Sequence, residues 1–523
     1  MTEDQQPPGS LWQWGERDPD RPCIVTPAGD EYTAGQMASR SRQVVHALRG
    51  LGMEPGDVLA CMVPNGREYV EMLLAIQQAG WYIVPLNYHL TGPEIAYIVN
   101  DSQAGVFVAD ERFADQVTAS VADGLNVPED HRFAIGSIEG FHDYQDLTSD
   151  QPTDKPADRQ AGAIMTYTSG TTGRPKGVKR PLTGADPDLG AQMGQFLNHL
   201  FTMADPDNVH LVVAPLYHTA VSNFAQAALH GGHRVVLMDR WTPEETLRLI
   251  DTYKVTTSHM VPTMFNRLLK LPDEVRADYD MSSTRRMIHS AAPCPIPTKQ
   301  AMLDWWGDSI WEYYAATEGG GTIASPEDWK ARPGTVGKPW PISEVIVSDD
   351  DGNQLGPGEV GTIWMRMGEY RFTYHGDEEK TRKSWNDQGF FTVGDVGELD
   401  EDGFLFLRDR KIDMIIMGGV NLYPAEIESV LLQHDHVLDC AVFGIPDEDM
   451  GEQVKAAVQL VEDSEPSDEL ANEIIEWLRD QLGSMRTPKS IDFHDELPRD
   501  PNGKLYKRKL RDPYWEGSDS ALV

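Results

Sequence analysis

The chain has 523 residues, more than one hydrophobic core usually supports, so at least two domains are expected. Its 45 lysines and arginines against 83 aspartates and glutamates give a net charge of −38. This charge argues against a nucleic-acid backbone or an anionic membrane surface as a partner of the whole protein. A polyanionic ligand must therefore meet a locally basic site or a metal ion.

The cysteines and the N-terminus indicate a compartment. Cys23, Cys61, Cys294 and Cys440 are far apart and form no C-x-x-C pair, which favours a reducing environment and argues against a zinc site. The first residues are acidic and polar, and no uninterrupted apolar run reaches membrane-spanning length. We expect a cytoplasmic protein without a membrane span.

Short β-rich apolar runs alternate with longer helical patterns between residues 160 and 320, which predicts a parallel sheet with crossover helices. One crossover helix should begin near Thr242, because Thr242, Pro243 and Glu245 form a capping box with proline in the first turn. The apolar runs are AIMTY (163–167), VHLVVAPL (209–216), HRVVLMD (233–239), VTTSHMV (255–261) and RMIHSAA (286–292).

Strands without long helices are predicted from about 336 to 408, and the segment from Asp400 to Gly403 indicates a hairpin turn between two of them. After Arg410 the pattern is mixed α/β again. It predicts helices at 423–437 and 468–482 and strands near 438–445, 452–461 and 490–496. The expected fold class is α/β, with a domain boundary close to residue 410.

The stretch TYTSGTTGRPKGV (166–178) combines glycines, hydroxyls and Lys176. It is not a Walker A loop, because Gly170 and Gly173 lack the required spacing to a G-K-[ST] end. Glycines nevertheless allow close backbone approach to an anion, hydroxyls and N–H groups donate to its oxygens, and lysine adds a charge. A phosphate-binding loop is therefore one interpretation, and a surface turn is the other.

Five further stretches could contribute to a site, although each also has a purely structural interpretation. WEYYAATEGGG (311–321) with Glu318 could be a buried strand, and TVGDVGEL (392–399) with Asp395 could be a turn. RDRKIDMIIMGGVNLYPAEIE (408–428) could be a solvated linker, and PRDPNGKLYKRKL (498–510) with Lys504 a solvated basic terminus. PLYHTAVSNF (215–224) with His218 could contain a core histidine.

Together and in this order, these motifs resemble the adenylate-forming superfamily of acyl- and aryl-CoA synthetases, carrier-loading adenylation domains and beetle luciferases. The runs HSAAPCP and EYYAATEG look most like bacterial ligases of fatty, steroid-side-chain or alicyclic acids. The resemblance implies a large N-terminal domain (1–410) of two α/β subdomains plus a β subdomain. A small mobile C-terminal α/β domain (411–523) would follow it.

The resemblance also implies a two-step reaction. A carboxylic acid first attacks the α-phosphorus of Mg²⁺-bound ATP to give an acyl-adenylate and pyrophosphate, and the thiol of coenzyme A then displaces AMP. Glu318 would bind Mg²⁺, Thr317 would contact the α-phosphate, and Lys504 would bridge carboxylate and α-phosphate in the first step only. Nucleotide-binding roles are implied for Thr168, Ser169, Gly170, Thr171, Thr172, Gly173 and Lys176 (β- and γ-phosphates), Ala291, Ala292, Pro293 and Tyr314 (adenine), Asp395 (ribose), and Arg410 (ribose or phosphate).

The remaining implied roles concern the acid, the thiol and the hinge. Pocket residues that are mostly apolar or small suit a hydrophobic, medium-to-long or bulky acid. The acyl pocket would include His218, Val221, Met260, Val261, Ala315, Gly319, Gly320 and Gly321, the coenzyme A tunnel Gly418, Gly419 and Val420, and the hinge Lys411, Ile412 and Asp413.

Two positions depart from the family pattern. Ala315 replaces the usual glycine of Tyr-Gly-x-Thr-Glu, which adds a methyl group near the acid. Ile412 stands where a lysine or aspartate is common after the hinge arginine, so the pivot could be Lys411, Ile412 or Asp413.

The acceptor and the activity leave alternatives open. Only 19 residues follow Lys504, so we expect the thiol acceptor to be a separate molecule, with coenzyme A as the simplest choice. A ligase that loads a separate carrier protein and a non-catalytic nucleotide-binding relative are the alternatives. The sequence leaves the oligomeric state open.

Overall fold

The structure is a computed structural model that describes residues 8–168, 175–369, 371–447, 449–499 and 505–516. It is mixed α/β, which confirms the expected fold class. The chain divides into two compact units, Met1–His259 with Arg371–Lys383, and Met260–Tyr370 with Ser384–Val523. The expected domains 1–410 and 411–523 stay a prediction.

Elements up to residue 260 alternate between short strands and helices. The helices are α1 (Leu11–Arg17), α2 (Ala34–Gly50), α3 (Arg67–Ala79), α4 (Gly92–Asp101), α5 (Ala114–Ala122), α6 (Tyr144–Thr148), α7 (Pro187–Gly194), α8 (Phe196–Leu200), α9 (Thr219–Gly231) and α10 (Pro243–Tyr253). The strands are β1 (Pro22–Val25), β2 (Glu31–Thr33), β3 (Val58–Met62), β4 (Tyr82–Pro85), β5 (Val106–Asp110), β6 (Arg132–Ile135), β7 (His142–Asp143), β8 (Ala163–Ile164), β9 (Thr166–Thr168), β10 (Lys176–Lys179), β11 (Val209–Val212), β12 (Arg234–Leu237) and β13 (Thr257–Met260).

Strands dominate the rest of the chain. The helices are α11 (Pro262–Leu269), α12 (Asp273–Ala277), α13 (Ile296–Trp306), α14 (Pro326–Ala331), α15 (Glu378–Lys383), α16 (Pro424–Leu431), α17 (Asp468–Leu482) and α18 (Lys507–Trp515). The strands are β14 (Arg286–His289), β15 (Ile310–Ala316), β16 (Gly319–Ala324), β17 (Lys338–Pro339), β18 (Ser343–Ser348), β19 (Gly361–Met367), β20 (Thr373–Tyr374), β21 (Asp395–Leu399), β22 (Leu405–Arg410), β23 (Ile415–Met417), β24 (Val420–Leu422), β25 (Val437–Asp447), β26 (Gly451–Leu460) and β27 (Ser490–Phe493).

The first unit contains a parallel sheet in the order β7-β6-β5-β3-β4-β8. Its central strands β3 and β4 are apolar without alternation and buried at every position, as a parallel strand covered on both faces requires. Met62, Val84, Phe107 and Val117 lie in the core beside this sheet, each with no exposed surface.

The same unit holds the parallel strands β13, β11, β12 and β1, with β2 antiparallel to β1. This arrangement confirms the predicted parallel pairing of β11, β12 and β13. Helix α10 begins after Thr242, whose hydroxyl accepts a hydrogen bond from the Glu245 amide at 3.3 Å. Strands β9, β10 and β20 form a separate antiparallel sheet.

The second unit contains three groups of strands. β14 and β15 are parallel, and β16 and β17 continue antiparallel from β15. β18, β19, β21 and β22 form an antiparallel sheet whose last two strands make the predicted hairpin, closed by a bond from the Gly403 amide to the Asp400 carbonyl at 3.1 Å. The third sheet has the order β24-β23-β26-β25, and β27 runs parallel to β26.

Three predicted boundaries differ from the structure. The helix expected over 423–437 ends at Leu431, because residues 432–436 form turns and Val437 already begins β25, which pairs with β26. The single strand expected over 163–167 is divided into β8 and β9. The strand expected over 490–496 ends at Phe493.

None of the helices in the described part of the chain combines the length and apolar character that a bilayer crossing requires. Cys23, Cys61 and Cys440 are buried free thiols. Burial raises the pKa of Cys23 to about 12 and raises that of Cys61 and Cys440 as well.

The first unit should lose stability in mild acid because four of its histidines are buried in the neutral form. Burial lowers the pKa of His210 and His259 from 6.5 to about 3, and that of His230 and His233 to about 4. Unfolding lets each histidine bind a proton below pH 6.5, so their stabilisation is full above that pH and is lost as the pH falls toward the folded pKa. Each should cost on the order of 1 kcal/mol per pH unit below about pH 6.

Urea unfolding between pH 5 and 7.5 checks this expectation. His259→Phe should reduce the dependence of the unfolding free energy on pH, whereas the exposed His142→Gln should leave it unchanged. An unaltered pH slope in His259→Phe would contradict the assignment.

Candidate active site

Asp395 lies between an aromatic ring and a guanidinium in the second unit. The Tyr314 hydroxyl donates to Asp395 Oδ2 at 2.7 Å, and Arg410 Nε lies 3.3 Å from Asp395 Oδ1. Asp395 opens β21 and is paired in register with Arg410, the last residue of β22. Burial and the neighbouring carboxylate raise the pKa of Tyr314 well above its usual value, so the phenol stays a neutral donor.

The predicted adenine-lining segment follows β14, the parallel neighbour of the strand that carries Tyr314. Ala291 has φ +73°, a left-handed conformation that is uncommon for a residue with a Cβ. Such a conformation costs on the order of 1 kcal/mol, and strained residues of this kind cluster at active sites and ligand-binding segments. Ala291 and Pro293 are exposed and Ala292 is half-buried, so the segment offers apolar surface near the end of the strand.

The turn after β15 carries Thr317 and Glu318, and Glu318 is buried, with 7% of its surface exposed. A glycine is required at 321, because a Cβ there would lie 2.3 Å from the Tyr314 carbonyl oxygen and 2.6 Å from the Trp340 ring. A Cβ at Gly320 would meet the Met365 Cβ at 3.0 Å. The glycines thus let β16 pack closely against its neighbours, and their predicted place in the acyl pocket stays a prediction.

The ends of the predicted phosphate loop are joined by a hairpin in the first unit, where Lys176 on β10 is opposite Thr168 on β9. Lys176 Nζ lies 3.8 Å from Asp377 Oδ2, a partner that sequence reasoning missed because it lies about 200 positions away. The loop residues Ser169, Gly170, Thr171, Thr172 and Gly173 lie outside the described residues.

The predicted acyl-pocket residues occur in both units. In the first, His218 is the N-cap residue of α9 and Val221 is buried in its first turn. In the second, Met260 and Val261 are buried at the end of β13, and Ala315 is half-buried on β15. Their common role as a pocket stays a prediction.

The predicted hinge follows Arg410. Lys411 forms an ion pair with Asp350 at 2.6 Å, Ile412 is 40% exposed, and the Asp413 amide donates to the Arg410 carbonyl at 3.0 Å. Which of the three residues pivots stays open.

Two charged residues beside the hinge were missed. Asp409 accepts a hydrogen bond from the Ala425 amide at 2.9 Å, and burial raises its pKa although Lys507 opposes the shift. Lys507 Nζ lies 2.8 Å from a Glu428 carboxylate oxygen. Their positions in RDRK and KLYKRKL could have suggested a pairing, but no sequence signal fixes the partners.

The predicted coenzyme A residues form a tight turn between β23 and β24. Gly418 and Gly419 have φ of +58° and +79°, and the Gly418 amide donates to the Met450 carbonyl at 2.8 Å. Val420 is 41% exposed. Lys504 lies outside the described part of the chain.

A buried ion pair supports the strand that carries Tyr314. Lys299 on α13 lies 2.5 Å from Glu312 on β15, both essentially inaccessible, and His289 Nε2 lies 3.6 Å from the same carboxylate. Burial raises the pKa of Glu312 although Lys299 opposes the shift. Removing one partner of such a pair typically costs about 3–5 kcal/mol, so loss of Lys299 or Glu312 alone should destabilise the packing of α13 against β15.

Comparison with known proteins decides the family. The family model described as AMP-binding enzyme matches residues 11–370, and the model described as AMP-binding enzyme C-terminal domain matches residues 426–504. The chain belongs to the AMP-binding enzyme family. The suspected adenylate-forming superfamily is thereby confirmed.

Relatives extend over nearly the whole chain. A feruloyl-CoA synthase of Amycolatopsis sp is 33% identical over 93% of this chain and 95% of its own. A fatty acid–[acyl-carrier-protein] ligase, ScoC of Streptomyces coeruleorubidus, is 30% identical over 96% and 95%. The crystal structure of the anthranilate CoA ligase AuaEII in complex with anthranoyl-AMP matches with a TM-score of 0.84, 26% identity and coverage of 98% and 99%.

The family membership and these relatives confirm the predicted enzyme class, an AMP-forming ligase of a carboxylic acid and a thiol. These findings confirm the enzyme class, whereas the role of each site residue stays a prediction.

Tyr314→Phe should raise the KM for ATP about 5- to 10-fold, because the variant removes one hydrogen bond to a carboxylate. The KM for the acid should change little, since the hydroxyl contacts Asp395 rather than the acyl site. Steady-state kinetics with varied ATP measure the effect. Tyr313→Phe, whose hydroxyl is bonded to Ser290, is the matched control, and an unchanged KM for ATP in Tyr314→Phe would remove this residue from the nucleotide site.

Proposed function

We propose that the protein is an ATP-dependent acyl-CoA ligase for a hydrophobic, medium-to-long or bulky carboxylic acid. In the first step a carboxylate oxygen bonds to the α-phosphorus of ATP and the bond to pyrophosphate breaks. In the second step the coenzyme A sulfur bonds to the acyl carbon and AMP leaves with the bonding electron pair. A free carboxylate is a poor electrophile, and its anhydride with AMP has a good leaving group.

The cluster of Tyr314, Asp395 and Arg410 is the observation that carries the proposal. The Tyr314 hydroxyl lies 2.7 Å from one oxygen of Asp395, and Arg410 Nε lies 3.3 Å from the other. The cluster thus places an aromatic ring, a carboxylate with two oriented oxygens and a guanidinium side by side. An adenine ring, the vicinal hydroxyls of a ribose and a phosphate are complementary to these groups in turn. The exposed segment Ala291 to Pro293 would cover the other face of the base.

Lys176 would hold the β- and γ-phosphates together with the loop that precedes it. Its present partner, Asp377, lies 3.8 Å away, and both side chains are about one-quarter exposed. An ion pair of this length between side chains exposed to water contributes little to stability. A phosphate can therefore replace Asp377 as the partner of Lys176 at small cost.

Glu318 is the residue that would hold Mg²⁺. Its carboxylate lies in the turn between β15 and β16 and next to Thr317, and carboxylate oxygens are the ligands Mg²⁺ prefers. The bound ion would offset the negative charge of the phosphates. Thr317 would donate its hydroxyl to an α-phosphate oxygen and so orient it.

Coenzyme A is the proposed acceptor, in contact with Gly418, Gly419 and Val420. Between the two steps, residues 411–523 would rotate about the hinge, so that Lys504 leaves the site and this turn enters it. The 30% identity to ScoC, which is named for an acyl-carrier-protein acceptor, keeps a carrier protein as the second candidate.

The proposed acid is hydrophobic because the predicted pocket residues Val221, Met260 and Val261 are apolar and buried. A relative is named for ferulate, and others are named for long-chain fatty acids and for a propanoyl group on a methylated octahydroindene dione. A site for a large apolar acid agrees with all of them.

Pyrophosphate release from Mg²⁺ and ATP tests the proposal. The panel contains aliphatic acids from acetate to stearate, aromatic acids and steroidal acids, each with and without coenzyme A. Turnover that needs one acid class and coenzyme A is the expected result. Stoichiometric release that coenzyme A does not turn over would favour a carrier protein, and no release with any acid would overturn the proposed function.

Lys504→Ala should slow adenylate formation about 10²- to 10³-fold, because it removes a cation from the developing charge of the transition state. Conversion of pre-formed acyl-AMP to acyl-CoA should remain near the wild-type rate. Rapid-quench measurement of each half-reaction checks the split. The exposed Lys509→Ala is the control, and equal loss of both steps in Lys504→Ala would contradict the role.

A further inference from the structure

Four rings form a continuous stack in the first unit that ends at His218. The Phe113 and Tyr88 rings are stacked with centroids 4.9 Å apart and planes at 13°. The Tyr88 and Tyr217 rings meet edge to face at 4.7 Å, and the Tyr217 and His218 rings lie 4.3 Å apart. The first two are favourable geometries for aromatic pairs, and the third joins neighbouring residues whose ring planes are tilted by 44°.

Hydrogen bonds of Asn65 fix the segment that carries Tyr217 and His218. The Asn65 side chain accepts from the Leu216 amide at 2.8 Å and donates to the carbonyls of Ala214 at 3.0 Å and Met238 at 2.9 Å. Tyr69 also donates its hydroxyl to the Leu216 carbonyl at 2.8 Å. With both polar groups of a buried amide used on one loop, this segment has little freedom to move.

Tyr88 is fixed from its own side of the stack. Gln116 Nε2 donates to the Tyr88 carbonyl at 2.9 Å, and Arg112, the residue before Phe113, pairs with Asp239 at 2.8 Å. Burial raises the pKa of the Tyr88 hydroxyl well above its usual value, so the ring is a neutral, largely buried side chain. These contacts hold the backbone next to the Tyr88 and Phe113 rings, and the rings themselves are held by packing against each other and against Tyr217.

We propose that Tyr88 is a specificity-determining residue, because with Phe113 and Tyr217 it forms a fixed wall behind His218 that limits the size of the acid. The inference rests on the proposed function, in which His218 lines the acyl site. It adds that the limit is set two rings beyond His218, through Tyr217, by a residue that belongs to the loop after β4.

A rigid wall discriminates by size in a way that a flexible one cannot. An acid that reaches the wall gains contact, and one that exceeds it must displace rings that pack against one another on a hydrogen-bonded backbone. Each methylene accommodated or refused in an apolar pocket changes kcat/KM by roughly 10-fold or more. Removing the Tyr88 ring should therefore shift the preference toward longer or bulkier acids rather than lower all activities equally.

Three variants test the wall with the pyrophosphate panel. Tyr88→Ala should raise kcat/KM for the next larger acids relative to the best wild-type acid by about 10-fold. Tyr88→Phe keeps the ring and should keep the wild-type order of acids. Phe141→Ala is the matched control, since it truncates a partly buried ring that packs against the core of the same unit and should leave the order of acids unchanged.

An unchanged order of acids in a folded Tyr88→Ala would overturn the proposal, and so would an equal shift in Phe141→Ala. If wild type releases no pyrophosphate with any acid, the proposed function fails instead. Photolabelling of the wild-type protein gives a test that does not depend on a stable variant. The best acid carrying an aryl azide at its far end should label Tyr88 or Tyr217 in the presence of ATP, and labelling confined to other residues would overturn the wall.

Discussion

Asp395 joins three parts of the second unit, and the proposed chemistry depends on that junction. Its two carboxylate oxygens contact the Tyr314 hydroxyl on β15 and the Arg410 guanidinium on β22. Arg410 is also the last residue before the predicted hinge. In the proposed function the ribose would bind at Asp395, so the nucleotide would lie beside the residue that precedes the predicted hinge.

The acidic composition shapes how this protein presents positive charge. Carboxylates outnumber basic residues by 83 to 45. Three of the predicted functional cations in the described part of the chain have carboxylate partners: Lys176 has Asp377, Arg410 has Asp395, and Lys411 has Asp350. The contrast with Lys299 and Glu312 is one of burial, because that pair has no water to replace a lost partner.

Local signals predicted much of the fold and the order of the site motifs. Ser467 caps α17 and the helix occupies 468–482 as its pattern indicates, and the turn at 400–403 joins β21 and β22. The helix predicted to 437 failed because β25 takes Val437 into a long-range pairing with Leu460, which no local pattern reveals. Local propensity yields to such tertiary contacts.

Long-range side-chain pairs in the site were beyond sequence reasoning for the same cause. Asn65 accepts a hydrogen bond from the Leu216 amide, about 150 positions away, and Asp377 pairs with Lys176, about 200 positions away. Asn and Asp are ordinary turn residues when viewed locally. Only their packing shows that the loop of His218 and the base of the phosphate loop are built from distant parts of the chain.

The buried thiols have a consequence for an enzyme proposed to use a thiol substrate. A thiolate is needed to attack a disulfide, and Cys23, Cys61 and Cys440 are both inaccessible and held protonated by burial. Coenzyme A oxidises readily to disulfides, which would modify an exposed cysteine. With these three residues sheltered, the protein can work in a pool of partly oxidised coenzyme A without forming mixed disulfides at those positions.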